Sequence, residues 1–218
     1  MVAVKETEGA RVAESIDGYE EAIAFYFDFS SPYGYFAATR IDDIAARHDR
    51  SVTWRPILLG AVFKVTGQQP LPTIPIKGAY AKHDVERTAR LFGLPFKLPA
   101  KFPIASTAAC RAFYAISDHD PELAKRLALA LYVAYFAEDR DISTPEVTLD
   151  VAAELGIARA ELARTLNEPA LKDRVRGEVN DAITHGVFGS PYFIIDGEAF
   201  WGCDRLDQVE RWLSTGGW

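Results

Sequence analysis

Two serines and a proline interrupt an aromatic run early in the chain, within the segment FYFDFSSPYGYF at residues 25–36. A serine before a first-turn proline is a favourable helix N-cap, so Ser31 before Pro32 would stabilise a helix by about 1 kcal/mol. The same position suits anion binding, because backbone N–H groups and the positive end of the helix dipole meet there. The residue types are therefore compatible with a helix cap and with an anion-binding site.

Two later positions combine turn residues with polar groups. Ser190 and Pro191 follow a glycine, and Gly-Ser-Pro is typical of a loop, where only about 5 to 6% of X-Pro bonds are cis. Cys203 and Asp204 stand at the start of a predicted C-terminal helix, where Asp204 has the side chain of an N-cap. On residue types alone, local structure explains both positions.

Cysteine and histidine usage argues against dithiol and metal chemistry. Cys110 and Cys203 are the two cysteines, and they are far apart and form no CxxC motif. This pattern fits neither a disulfide framework nor a metal site, and it favours a reducing compartment. The four histidines are scattered without ligand spacing, so no metal site is expected.

Composition and charge place the chain among folded globular proteins. Its 218 residues are 49% hydrophobic, which supplies a sizeable core. The net charge of -7 disfavours binding to nucleic acid or to an anionic membrane surface. No apolar run in the sequence approaches the roughly 20 residues that a spanning helix needs. The first residues lack the basic start and apolar stretch of a signal peptide, so we expect a cytoplasmic protein.

Apolar patterning predicts a βαβ unit at the start of the folded chain. Residues 1–20 are polar and are interpreted as a flexible tail. Residues 22–29 are predicted to form a strand buried on both faces, followed by an amphipathic helix over about residues 32–47. Residues 51–59 are a second candidate strand, with Pro56 near its end or at a sheet edge.

Helical periodicity dominates from residue 60 to about residue 186, where strand signals nearly vanish. Helices are predicted over about Tyr80–Phe92, after Ser106, from Asp120, from a cap at Ser143 or Thr144, and from about Pro169. A hairpin with a two-residue turn at Asp196-Gly197 and a helix over residues 204–214 complete the chain. The predicted order is βαβ, a helical block, then αββα.

Four ordered motifs resemble one known family. FYFDFSSPYGY at residues 25–35 looks like the opening of the kappa-class glutathione transferases and 2-hydroxychromene-2-carboxylate isomerases, which are similar to the DsbA-like branch of the thioredoxin superfamily. Three later segments resemble their loop after the second strand, their cis-proline loop and their glutathione-carboxylate motif: TGQQPLPTIPIKGAY, VFGSPYF and FWGCDRL. The resemblance covers roughly residues 22–214.

The resemblance implies an α/β thioredoxin-like fold with a large inserted all-helical domain. The thioredoxin-like domain would comprise residues 21–59 and 187–218, together with the preceding helix from about residue 169. The helical insertion domain would comprise residues 60–168.

The resemblance also implies a glutathione site in which the protein supplies no thiol. Ser31, which directly precedes the proline as the family serine does, would hydrogen-bond the glutathione sulfur and act catalytically. Ser190, before a cis Pro191, would pair through its backbone with the cysteinyl segment of glutathione. The other implied contacts are Gln68 at the glycyl end, and Cys203 and Asp204 at the γ-glutamyl end. Cys203 stands where relatives carry serine or asparagine, and Gln68 where kappa-class enzymes carry asparagine.

The leading functional hypothesis is a glutathione-dependent cis-trans isomerase of an aromatic unsaturated 2-oxo acid, acting by reversible thiolate addition to the conjugated double bond. Its partners would be glutathione and a small aromatic carboxylate, and the resemblance implies a homodimer. One alternative is a kappa-like glutathione transferase that forms stable conjugates. Another is a DsbA-like protein without dithiol redox activity, or a related fold that only binds a small acid.

Four further residues are weaker candidates for substrate contacts. Lys77 and Arg87 could lie near a substrate carboxylate, although charged residues on helix surfaces are usually only solvated. Trp54 and Trp201 could line an aromatic pocket, although core packing is the better interpretation of most aromatic residues.

Overall fold

A computed structural model describes residues 22–218, so the tail predicted at residues 1–20 lies outside the described part of the chain. The strands are β1 (Ala22–Phe27), β2 (Ser51–Pro56), β3 (Tyr192–Ile195) and β4 (Glu198–Trp201). They form one sheet in the order β2-β1-β3-β4, in which β1 and β2 are parallel and the other neighbours are antiparallel. This connectivity is the predicted βαβ unit followed by a hairpin.

Helices fill most of the remaining described chain. They are α1 (Pro32–Ala38), α2 (Ile41–Ala46), α3 (Leu59–Thr66), α4 (Lys77–Phe92), α5 (Thr107–Ser117), α6 (Pro121–Phe136), α7 (Pro145–Glu154), α8 (Arg159–Thr165), α9 (Pro169–Thr184) and α10 (Leu206–Thr215). Two 3-10 turns lie at Leu71–Thr73 and Cys203–Arg205. The predicted helical block between the second and third strands is confirmed.

β1 is buried on both faces, as predicted, because Phe25 and Phe27 pack into the core with α1 and α6, and Tyr26 packs with residues of α9 on the other face. Both initial strands end earlier than predicted, at Phe27 instead of residue 29 and at Pro56 instead of residue 59. The last bond between the two segments runs from the Ile57 N–H to the Phe27 carbonyl, at 2.7 Å. β2 lies at an edge of the sheet, where a terminal proline removes no ladder donor that a neighbour needs.

The predicted helix over residues 32–47 is wrong as a single element, since it breaks into α1 and α2. At the break, the Arg40 N–H bonds to the Ala37 carbonyl, three residues back, and the Thr39 hydroxyl donates to the Phe36 carbonyl at 2.9 Å. These bonds tighten the last turn and end α1 after seven residues. The break places Arg40 at a corner between two short helices.

Helix caps in the helical block follow the side-chain chemistry of the sequence. The Asp120 carboxylate accepts from the Leu123 N–H at 2.8 Å, which confirms the predicted start of α6. At α7 the cap is Thr144, whose hydroxyl accepts from the Val147 N–H at 3.4 Å, so Ser143 is not the cap. The turn between β3 and β4 has φ of 53° at Asp196 and 83° at Gly197, as a two-residue hairpin of type I′ requires.

Aromatic side chains join the sheet to the helical block through one continuous apolar core. The Tyr132 ring lies 6.0 Å from Phe27 and 5.5 Å from Tyr35, and Phe136 stacks on Tyr35 at 5.9 Å, measured between ring centroids. The Tyr132 hydroxyl donates to the Asp28 carbonyl at 3.0 Å. α6 therefore packs directly against the start of α1, and the division of the chain at residues 60–168 stays a prediction.

None of the helices within residues 22–218 has the length and apolar character needed to cross a membrane.

Candidate functional site

A cleft of about 1580 Å³ opens where β1 ends and α1 begins. Its sheet-side wall is formed by residues within 28–33, 189–191 and 201–205, and its helical wall by residues of α3, of the following loop, of α4 and of the segment 98–107. All six predicted site residues line this cleft: Ser31, Gln68, Ser190, Pro191, Cys203 and Asp204. Segments that are up to about 170 positions apart in sequence are thus brought to one cavity, at the N-terminal end of α1.

Ser31 is both a helix cap and a cleft residue. Its hydroxyl oxygen accepts from the Gly34 N–H at 3.1 Å, which caps α1, and its hydrogen is donated to the Ser190 carbonyl at 3.0 Å. The residue is 6% exposed, yet it borders the cleft together with Ser190 and Pro191. The hydroxyl therefore lies at the junction of the α1 start and the Ser190 loop.

Ser30, the neighbouring serine, makes different hydrogen bonds. The Ser30 hydroxyl oxygen accepts from the Ile104 N–H at 3.0 Å, and the Ser30 N–H donates to the Asp28 carboxylate at 2.7 Å. Ser30 thus joins the loop before α1 to the helical block. The structure gives the two serines separate environments, and Ser31 is the one that contacts the Ser190 loop.

The start of α1 offers a second donor beside the Ser31 hydroxyl. Within residues 22–218 the Tyr33 N–H has no acceptor, and Pro32 has no N–H. Because α1 has only seven residues, its dipole is smaller than that of the long helix predicted from the sequence. The local donors, Ser31 and Tyr33, are therefore the main groups at this end of the cleft that can stabilise an anion.

The peptide bond between Ser190 and Pro191 is cis, as predicted. Two hydrogen bonds hold this loop: the Asp28 N–H donates to the Ser190 hydroxyl at 2.9 Å, and the Gly202 N–H donates to the Pro191 carbonyl at 3.1 Å. The loop is thereby tied to β1 on one side and to the turn at residues 203–205 on the other. The Ser190 side chain holds the loop in place, and the residue borders the cleft.

Sequence reasoning missed Asp28, which organises the sheet-side wall. Its carboxylate is 3% exposed and accepts from the Leu59 N–H at 2.7 Å and from the Ser106 hydroxyl at 2.8 Å, in addition to Ser30. Burial raises the pKa of the Asp28 carboxyl, and these hydrogen bonds partly offset that rise. The available signal was an acid within a run predicted to be buried, because such a carboxylate needs partners.

The turn at Cys203–Arg205 differs from the sequence prediction in how the last helix begins. Asp204 caps no helix by hydrogen bond; its side chain is 71% exposed and forms an ion pair with Arg205 at 3.1 Å. Interpreting Asp204 as an N-cap was therefore wrong, since the helix begins with a 3-10 turn at Cys203. The exposed carboxylate faces the cleft and is available to a ligand.

The two cysteines are poorly suited to thiol chemistry. Burial and the carboxylates of Asp204 and Asp84 raise the pKa of the Cys203 thiol to about 12. Burial raises the pKa of the Cys110 thiol well above its usual range, and its sulfur contacts the Ile57 carbonyl at 3.6 Å. Because the thiolate is the nucleophile, neither side chain is reactive near neutral pH.

The helical wall has fewer direct contacts with the rest of the site. Gln68 is exposed and follows Gly67, which ends α3 in the left-handed conformation with φ of 72°. A hydrogen bond joins α1 to α4 across the cleft: Tyr33 donates its hydroxyl to the Asp84 carboxylate at 2.7 Å. Although burial alone would raise it, the hydrogen bonds from Tyr33 and Arg87 lower the pKa of the Asp84 carboxyl.

Of the four weaker candidates for substrate contacts, only Trp201 borders the cleft. Arg87 forms an ion pair with Asp84, and neither Arg87 nor Lys77 borders the cleft. Trp54 is 5% exposed and packs in the core, whereas Trp201 is 52% exposed and borders the cleft beside Gly189. Within residues 22–218, no group of three or more His, Cys, Asp or Glu side chains could hold a metal ion.

The donor set of the cleft fits glutathione. A sulfur can be met by the Ser31 hydroxyl and the Tyr33 N–H, and a peptide segment by the backbone of Ser190. The exposed carboxylate of Asp204 suits an ammonium group, and the amide of Gln68 suits a terminal carboxylate. A cavity of about 1580 Å³ has room for a tripeptide and a second small molecule.

Comparison with family models gives one match that spans nearly the whole described chain. The model of the DSBA-like thioredoxin domain matches residues 22–214. The predicted α/β thioredoxin-like fold is thereby confirmed.

Among curated proteins, the chain is similar to the 2-hydroxychromene-2-carboxylate isomerase of Sphingobium xenophagum, with 29% identity over 88% of this chain and 98% of the relative. It is also similar to glutathione S-transferase kappa 1 of Rattus norvegicus, with 25% identity over 88% of this chain and 92% of the relative. A solved structure of a 2-hydroxychromene-2-carboxylate isomerase matches with a TM-score of 0.80 and 27% identity, covering 88% of this chain and 94% of that one. The resemblance seen in the sequence motifs is confirmed.

Proposed function

The chain belongs to the family of DSBA-like thioredoxin domains, and within it we propose a glutathione-dependent cis-trans isomerase of an aromatic unsaturated 2-oxo acid. The relatives are isomerases and glutathione transferases, so they support an enzyme of the glutathione-related branch. The choice of isomerase rests on the relative from Sphingobium xenophagum and on the isomerase structure described above.

The observation that carries the proposal is the single cleft shared by Ser31, Ser190 and the turn at residues 203–205. These groups could each be explained by local structure when taken separately. Together they present a hydroxyl, a peptide backbone and a carboxylate along one cavity. This order matches the sulfur, the cysteinyl peptide and the γ-glutamyl ammonium of glutathione.

When bound, glutathione supplies a thiolate nucleophile that is recovered at the end of turnover. The role of the chain is to bind the tripeptide and hold its sulfur ionised at the start of α1. Ser31 donates its hydroxyl hydrogen to the sulfur by turning it away from the Ser190 carbonyl. That carbonyl then becomes free to accept an N–H from the peptide of the ligand, so no buried acceptor is left unpaired.

The energies are sufficient for this role. With an ordinary thiol pKa of about 8.5, a decrease of roughly two units corresponds to about 2.7 kcal/mol. A hydrogen bond from Ser31 to a charged sulfur contributes about 1.5 to 3 kcal/mol. The short α1 adds at most about 0.3 to 1 kcal/mol, so the hydroxyl carries the larger share.

A glutathione transferase is the second candidate, because the kappa-class relative matches over nearly the same length. The two reactions need the same activated sulfur and differ in whether the thioether is kept. Product analysis separates them. An isomer with glutathione recovered supports the isomerase, and a stable conjugate supports the transferase.

Dithiol redox chemistry is disfavoured by the state of the cysteines. The α1 start carries Ser31 where redox relatives need a thiol, and the raised pKa of Cys203 keeps its thiol protonated. A DsbA-like protein without redox activity stays the third candidate. It would bind glutathione or a small acid and turn over neither.

The proposal carries two further expectations, which concern oligomeric state and localisation. By analogy with the relatives, we expect a homodimer in the cytoplasm. Light scattering coupled to size-exclusion chromatography measures the mass in solution, and a monomer at micromolar concentration would contradict the dimer.

The test compares Ser31→Ala with Ser30→Ala in the presence of glutathione. We expect Ser31→Ala to lower kcat by about 10- to 100-fold at pH 7, because it removes the hydrogen bond to the sulfur. Ser30→Ala removes the same hydroxyl one residue away and leaves kcat within a few-fold. Equal turnover by Ser31→Ala and the wild type would overturn the proposed thiolate role.

A further inference from the structure

Arg40 is one of the cations that border the cleft. Within residues 22–218, the Arg40 guanidinium forms no hydrogen bond and no ion pair, although Arg40 borders the cleft. It lies over the Phe92 ring, 4.6 Å from the ring centroid, and the residue is only partly exposed. Stacking on an aromatic ring holds the planar group in place and leaves its edge donors free.

Arg40 lies near the Cys203 end of the cleft, because it closely follows α1 and α1 packs against the 3-10 turn at Cys203–Arg205. Electrostatic contact with Arg40 lowers the pKa of the Cys203 thiol, against the larger upward effects of burial and of the Asp204 and Asp84 carboxylates. The charged groups near this end include the carboxylates of Asp84 and Asp204 and the guanidinium groups of Arg40 and Arg205. Asp84 is paired with Arg87 and Tyr33, whereas Asp204 keeps an exposed carboxylate beside Arg205, so Asp204 and Arg40 can both face a ligand.

A pair of this kind is complementary to the head group of an α-amino acid. Asp204 suits the ammonium, and the planar fork of Arg40 suits the carboxylate. Lys64 and Lys82 also border the cleft and form no ion pair within residues 22–218, but both side chains are exposed and neither lies over an aromatic ring. The placement of Arg40 is thus the most specific of the three.

We propose that Arg40 binds the α-carboxylate of the γ-glutamyl group of glutathione and is a specificity-determining residue of the cleft. The inference rests on the proposed function, because it names a further contact for the same ligand. It also explains why a guanidinium with no protein partner is kept in an acidic chain with net charge -7. A carboxylate of the second substrate is the rival source of the same chemistry.

Calorimetry with two ligands tests the proposal. The first ligand is glutathione, and the second is γ-aminobutyryl-cysteinyl-glycine, which lacks only the α-carboxylate. We expect Arg40→Gln to weaken glutathione binding by about tenfold and to leave binding of the second ligand unchanged. Arg40→Lys should restore part of the affinity, because it keeps the charge without the planar fork. Arg90→Gln, which removes an exposed arginine of α4 outside the cleft, should change neither affinity.

The outcomes separate the inference from the proposed function. If the wild type binds glutathione and Arg40→Gln binds it equally well, the assignment of Arg40 is overturned and the proposed function stands. Equal losses for both ligands would also overturn the assignment, because they indicate a general disturbance of the cleft. An unchanged glutathione affinity with a raised KM for the acidic substrate would assign Arg40 to that substrate instead. If the wild type binds no glutathione, the proposed function itself fails.

Discussion

The two walls of the cleft differ in the burial and hydrogen bonding of their side chains. On the sheet-side wall, Asp28, Ser31 and Ser190 are at most 9% exposed, and buried hydrogen bonds connect them. On the helical wall, Leu71 and Leu91 are 43% and 78% exposed, which is far above the exposure of core side chains. Under the proposed function, the buried wall would hold the sulfur of glutathione, and the exposed wall would contact the second substrate.

The largest expected effect concerns Asp28. Asp28→Ala leaves the N–H groups of Ser30 and Leu59 and the Ser106 hydroxyl without their acceptor. We expect a decrease of about 3 kcal/mol or more in the free energy of unfolding, measured by urea denaturation. Glu86→Ala, an exposed acid on α4 of the helical wall, should stay within about 0.5 kcal/mol. A loss at Asp28 as small as that at Glu86 would remove the contrast between the walls.

The pH dependence of stability sharpens the role of Asp28. Its pKa is higher in the folded state than the ordinary 3.8, so the folded state binds the proton more tightly than the unfolded state does. The stabilisation from this proton is present below about pH 4 and is lost as pH rises through the folded pKa. Asp28→Asn does not titrate, so the stability advantage of the wild type over this variant should shrink as pH rises from about 4. An advantage that grows with pH would contradict this sign.

A smaller effect is expected from adding a methyl group at Gly34, a glycine of α1 behind the sheet-side wall, and at Gly60 on the helical wall. An alanine Cβ at Gly34 would lie 2.7 Å from the Tyr132 hydroxyl and 2.9 Å from the Ser190 hydroxyl, and both neighbours are buried. We expect Gly34→Ala to destabilise the fold by about 2 kcal/mol through overpacking.

Gly60 is the matched position in α3 on the helical wall, where a Cβ would meet no atom within 4 Å. We expect Gly60→Ala to stabilise the fold by about 0.5 kcal/mol, because alanine loses less backbone freedom than glycine. Thermal and urea unfolding measure both variants. Changes of the same sign at Gly34 and Gly60 would show that the two walls are packed alike.

A smaller loss than that at Gly34 is expected at the hydrogen bond between Tyr33 and Asp84. Tyr33→Phe removes the bond to Asp84 and should lower the free energy of unfolding by about 1 kcal/mol. Because the bond sets the spacing of the cleft and does not touch the sulfur, we expect KM to rise and kcat to change little. Tyr80→Phe is the control, since its hydroxyl is 3.4 Å from Asp84 and the residue is 61% exposed. A fall in kcat alone for Tyr33→Phe would indicate a direct role in the chemistry.

The sequence predicted those features that depend on local chemistry or on a complete motif. The buried β1, the Asp196-Gly197 turn and the Asp120 cap follow from residue types and spacing, and the cis bond before Pro191 followed from the family motif. The gathering of six distant residues in one cleft also followed from the motifs, because each motif carried its own place in the fold.

Features that arise from contacts between distant segments were missed. The break after α1 depends on a side-chain bond of Thr39 and on i-3 backbone bonds, which the apolar spacing of residues 32–47 does not reveal. Without the break, Arg40 would have been assigned to an ordinary helix surface. The Asp28 network was missed because its partners, Leu59 and Ser106, lie 31 and 78 positions away in sequence.

The central claim is that the Ser31 hydroxyl keeps the sulfur of bound glutathione ionised. Ultraviolet absorbance of the thiolate, followed during a pH titration of the protein saturated with glutathione, measures the pKa of that sulfur directly. The account predicts a pKa roughly two units below about 8.5 for the wild type and for Ser30→Ala, and an increase of at least one unit for Ser31→Ala. A sulfur that titrates at the same pH in Ser31→Ala and in the wild type would contradict it.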